Sequence, residues 1–145
     1  MHLKFLCSHH RDWVYFHPQE ALVKLEQSGH YGDILLQQDK WREALPFLGC
    51  AWETAAILVD LYQSEIAFLL KRLTSQTVAL ARCLVQLECP EHAQLVYLQV
   101  QNTLHGFEGD NKRLVLQCLE SLYQGQMFHL QDMTSVSQSS LRNAH

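Results

Sequence analysis

From Ala44 to Leu73, apolar residues recur at spacings of three and four through Leu48, Ala51, Ala55, Leu58, Tyr62, Ile66 and Leu69. That period belongs to an α-helix and not to a strand, whose side chains alternate every second residue. A chain built around so long a stripe has few folds open to it. Its 6 glycines and 3 prolines fall where helices begin, end or bend, and do not form the frequent turn clusters of an all-β chain. The expected fold class is all-α.

Punctuation divides the chain further. Pro18 suits the first position of a helix, where its missing N–H costs nothing, and the segment from there to about Gln38 carries Ala21, Leu22, Leu25, Ile34 and Leu35. Gly29 and Gly32 weaken that helix without ending it. Asp39 is placed to cap a second helix that bears the long stripe; Pro46 removes a hydrogen bond from its first turns, and a break near Gln63-Ser64 is an alternative to one continuous helix. Thr74 or Ser75 is placed to cap a third helix running through Glu88. Pro90 then opens a fourth, antiparallel to the third, that ends at His105-Gly106. Asp110 is placed to cap a fifth with Val115, Cys118, Leu119, Leu122, Tyr123 and Phe128. The expected organisation is an N-terminal docking segment over 1–17, a helical domain over 18–131 and a structureless polar tail over 132–145. Trp13-Val14-Tyr15-Phe16 reads as a helical turn, an extended piece or a hydrophobic plug.

Composition narrows the function. A chain of 145 residues, 48% hydrophobic, has the core of one domain. A formal net charge of −4 supplies no basic field for a phosphate backbone, so nucleic acid is not an expected partner. Cys7, Cys50, Cys83, Cys89 and Cys118 form no paired framework, which fits a reducing cytoplasm. No run approaches the roughly 18 apolar residues of a membrane span, and Leu3, Phe5 and Leu6 are too few for a secretory signal. Cys7, His9 and His10 lie close in sequence without metal-ligand spacing, and Cys83 and Cys89 read as small core residues. With no nucleophile elbow, zinc-protease, phosphate-loop or dinucleotide pattern, neither an enzyme nor a cofactor nor a metal site is expected.

The chain repeats itself once. Tyr31-Gly32-Asp33-Ile34-Leu35 is followed by Trp41, Ala44, Leu48 and Ala51, and Leu80-Ala81-Arg82-Cys83-Leu84 by Pro90, Ala93, Tyr97 and Val100, with Ala44 and Ala93 standing 13 residues after the start of each unit. Small residues at Gly32, Ala44, Ala81 and Ala93 let helix axes approach closely. This pattern resembles the tetratricopeptide repeat, over about 25–58 and more weakly over 74–105, where Val100 stands in place of a small residue. The units stand 49 residues apart, whereas such repeats follow at about 34. The difference of 15 residues, about four helical turns, is expected to lengthen the second helix toward Leu73.

The resemblance implies antiparallel helical hairpins stacked in a tetratricopeptide-like bundle, with a C-terminal capping helix. It also implies an inner groove lined by the first helix of each pair: Glu26, Asp33, Leu36 and Gln37 from one, Val78, Arg82, Val85 and Gln86 from the other. A protein-binding adaptor or chaperone of the cytoplasm follows as the expected function, its partner a polypeptide segment. The small type III secretion chaperones are similar in size and architecture. Ile57 to Leu70 is apolar on more than one face, to be covered either by the last helix and the N-terminal segment or by a partner or second copy. A self-associating homodimer without a peptide ligand is therefore the alternative, with Tyr62 expected at the edge of the covered region.

Overall fold

The computed structural model describes residues 3–62, 67–107 and 112–143. The described chain is all-helical, with six helices and no strand: α1 (Ser8–Phe16), α2 (Pro18–Gln37), α3 (Trp41–Tyr62), α4 (Ala67–Gln86), α5 (Pro90–His105) and α6 (Lys112–Asn143).

Two of the turns are built alike. At the end of α2, Lys40 N–H donates to the Leu35 carbonyl and Asp39 N–H to that of Leu36; at the end of α4, Cys89 N–H donates to Leu84 and Glu88 N–H to Val85. These paired bonds satisfy the carbonyls a helix end leaves open, and they require a left-handed residue just past the helix. Asp39 (φ 57°) and Glu88 (φ 62°) are that residue in each case. Both stand 49 residues apart, as do Trp41 and Pro90, which open the following helices. The α2–α3 and α4–α5 hairpins thus share one turn geometry at the spacing of the sequence repeat. Asp39 serves as the end of α2 and not as the cap of α3.

Helix α3 lies at the centre, packed against α1, α2 and α4. Gly32 admits it to α2: a Cβ there would stand 2.7 Å from Leu48 Cδ2. Trp52 is fully buried, and its indole N–H donates to Thr77 Oγ1 on α4 at 3.1 Å, while the Cys83 thiol donates to the Trp41 carbonyl. Contacts of 52 with 77 and of 41 with 83 make α3 and α4 antiparallel. Helix α6 returns over α4 and α5, and the N-terminal segment packs against the core at α3. Tyr62 is half-buried, while Leu61 and Phe68 reach solvent. By length and composition alone Trp41–Tyr62 could cross a membrane, but most of it is buried inside this fold.

Several boundaries differ from expectation. The long stripe is shared by α3 and α4, the alternative to one continuous helix, and α4 begins seven residues before Thr74. Thr74 and Ser75 are interior positions of α4, their hydroxyls bonded back to the Leu70 and Arg72 carbonyls of the same helix, and they cap nothing. Residues 8–16 form a helix, α1. The supposed structureless tail is helical as far as Asn143. No glycine or proline follows Gly125, and once a helix is under way each further residue adds a bond at little cost. Asp110 and residues 144–145 lie outside the described residues.

Ala44 and Ala93 are buried to 0% and 1% exposure, so Ala44→Trp and Ala93→Trp should each lower stability by about 1–3 kcal/mol through overpacking. Denaturant unfolding of both variants checks this; wild-type midpoints would contradict the close packing described.

Candidate functional site

The N-terminal segment is held by one buried carboxylate. Glu53, on the inner part of α3 and 4% exposed, accepts the Phe5 N–H at 2.7 Å and the Leu6 N–H at 3.3 Å on Oε1, and the Arg11 guanidinium at 2.9 Å on Oε2. A buried carboxylate is tolerated only when its lone pairs are met in this way. Phe5 lies against the bare backbone of Gly49, where a Cβ would collide with the ring, and meets Trp52 edge-on with centroids 6.2 Å apart. Helix α1 is thereby propped across the α2–α3 seam.

Beneath that prop is a half-open cleft of about 450 Å³. Leu25, Val14 and Ala51 form its buried floor, with Trp13, Leu6 and Phe47 as walls; Lys24, His9, His10, Ser28, Cys50 and Thr54 are its polar lining. Its volume falls in the range of small-molecule sites. Near its mouth Cys7 Sγ lies 3.1 Å from His10 Nδ1. Among the described residues no group of three or more His, Cys, Asp or Glu is placed to hold a metal ion.

The eight residues expected to line a groove do not all share one surface. Glu26 and Asp33 stand exposed on α2 facing α4; Arg72 of α4 binds Glu26 at 2.7 Å and also acts on Asp33. Partial burial pushes the Asp33 carboxyl above its ordinary value, although Arg72 and His30 oppose the shift. Gln37 and Gln86 are exposed near the turn ends of the same two helices. Arg82 is exposed but rests over the Trp41 ring, 5.5 Å from its centroid. Leu36 and Val85 are core residues, at 8% and 9% exposure. Val78 packs toward Gly125 of α6. Glu26, Asp33, Gln37, Arg82 and Gln86 are thus exposed, while Leu36, Val78 and Val85 are turned into the bundle.

Two buried polar arrangements have no counterpart in the sequence reading. Tyr97 on α5 and His129 on α6 are hydrogen-bonded at 2.9 Å in the interior, and burial raises the Tyr97 hydroxyl well above its ordinary value. The Glu53 clamp is the other; the only hint of it is a carboxylate lying inside the apolar run Ala51-Trp52-Glu53-Thr54-Ala55-Ala56.

Comparison with protein-family models, with curated proteins and with solved structures finds no match to this chain.

The thiols differ in access and acidity. Cys7 is exposed, Cys50 is half-buried with its acidity lowered first by burial and then by Glu53, and Cys83 is buried with its thiol pushed up to about 11. Alkylation needs the thiolate, so mass spectrometry of iodoacetamide-treated native protein at mild alkaline pH should show Cys7 modified first and Cys83 last. Early modification of Cys83 would contradict its packing under Trp41.

Proposed function

We propose that this chain is a non-catalytic helical module, similar in architecture to tetratricopeptide modules, that holds a segment of another polypeptide on the α2–α4 face. The repeated hairpin carries this reading: two helical pairs closed by the same turn, 49 residues apart, set the first helix of each pair side by side. The face so formed offers both charge signs, through Glu26, Asp33, Arg72 and Arg82, and an exposed ring at Phe68. Such a mixture suits an extended or helical segment with alternating polar and apolar side chains. As an adaptor or chaperone of the cytoplasm the protein would need no cofactor.

A carboxyl whose folded value lies above its unfolded one binds a proton more readily when folded, so its contribution favours the fold below both values and disfavours it above them. At neutral pH the charge on Asp33 therefore costs the fold slightly. Asp33→Asn should leave stability at pH 7 unchanged or slightly raised, and Glu26→Ala and Arg82→Ala should cost at most about 1 kcal/mol each, since exposed pairs contribute little.

Self-association is the second reading. Leu98 of α5 and Leu116, Tyr123 and Met127 of α6 are each about half exposed or more, and the three on α6 recur at a helical spacing that leaves one apolar stripe uncovered.

Native mass spectrometry of the protein purified from its own cells separates the two. A stoichiometric foreign polypeptide, lost in the Glu26→Ala/Arg82→Ala variant while thermal unfolding is unchanged, is expected. A partner retained by that variant would remove the α2–α4 face from consideration, and a partner-free dimer dissociated by Met127→Glu would favour self-association.

A further inference from the structure

Charge is unevenly placed around the cleft between α1, α2 and α3. The chain carries 15 acidic against 11 basic residues, yet among the described residues no carboxylate lines this cleft; the titratable lining there is Lys24, His9, His10 and Cys50. Lys24 stands exposed on α2 with no carboxylate paired to it among the described residues. Its ammonium is close enough to act on the Cys50 thiol across the cleft. The one acidic group beneath, Glu53, is already occupied by Arg11 and two backbone amides.

Below the Lys24 ammonium the walls are mostly hydrocarbon. Leu25, Val14 and Ala51 close the floor, and Phe47 and Trp13 stand at the sides. The lining of α3 runs from Pro46 to Thr54, which at the rise of an α-helix is about 12 Å. An apolar cavity of this kind gains little from water and takes an apolar guest.

We propose that this cleft binds a free medium-chain carboxylate, its aliphatic tail along the α2–α3 seam and its carboxylate at Lys24 with His9 or His10. The apolar length fixes the tail and the unpaired ammonium selects the head. No bond is made or broken. This site is separate from the α2–α4 face and does not depend on what binds there.

Calorimetric titration of the full chain with decanoate, decanol and decyltrimethylammonium, below the concentrations at which they form micelles, tests it. Decanoate should bind one to one and should be preferred over both others. Lys24→Glu should weaken decanoate on the order of tenfold or more, the scale of one charge-assisted hydrogen bond, while leaving decanol unchanged; Lys24→Arg should retain binding. Phe47→Ala removes a partly exposed wall and should weaken decanoate and decanol alike. No binding of decanoate, equal binding of all three amphiphiles, or decanoate binding indifferent to Lys24→Glu would each overturn the proposal. So would Lys24-dependent capture of phosphatidylglycerol vesicles without binding of free decanoate, which would assign the rim to a membrane surface. All three variants lie at exposed positions, and their thermal unfolding checks that the fold is retained.

Discussion

Everything on the N-terminal side of this fold depends on the carboxylate of Glu53. Helix α3 is apolar on nearly every side, and a charge in its buried stretch would be prohibitive without partners. The chain satisfies it by folding residues 3–7 back over α3, so that two backbone amides and one guanidinium converge on a single side chain. Phe5 is then laid against Gly49 and Trp52, α1 is set across the α2–α3 seam, and the cleft beneath α1 exists because that prop is held away from the floor. A polar demand in the core thereby determines the shape of a surface site.

The other half of the molecule is organised by close approach. Gly32 brings α3 onto α2 and Gly29 brings Gln76 of α4 onto α2, while Trp52 is tied to Thr77 so that the largest core side chain also leaves no donor unpaired. On the far side Tyr97 and His129 meet each other's hydrogen-bonding needs, and Gln126 of α6 bridges Gln94 and Gln101 of α5. Polar contacts of this kind fix the register of α5 and α6 where apolar packing alone would permit sliding.

Helix content, the Pro18 and Pro90 starts and the Gly106 stop were legible because they rest on local chemistry: fixed φ, missing N–H groups and helical period. The repeat was legible as well, since small residues at matched offsets mark close helix contacts. The split of the long stripe was legible only as the alternative of a break near Gln63-Ser64, because the helical period continues across that point and tertiary packing decides the matter. For the same reason the polar residues after Met133 carried no sign of the helix they join. On the candidate surfaces, the resemblance implied an accessible lining; Glu26, Asp33, Gln37, Arg82 and Gln86 are exposed, but it could not foresee that Leu36 and Val85 close the core or that α6 lies over Val78. The cleft was invisible, as it is made by residues from Leu6 to Thr54 brought together by one long-range carboxylate contact.

Amide hydrogen exchange of Phe5 and Leu6, followed residue by residue in the native protein, tests the central claim most directly. These two amides lie outside any helix, and Glu53 is their partner. Both should be protected in the wild type, and protection at both should be lost in Glu53→Leu, which removes the oxygen that accepts from them. Exchange at free-peptide rates in the wild type would show that the segment is not held, and with it would fall the placement of α1 and the cleft it encloses.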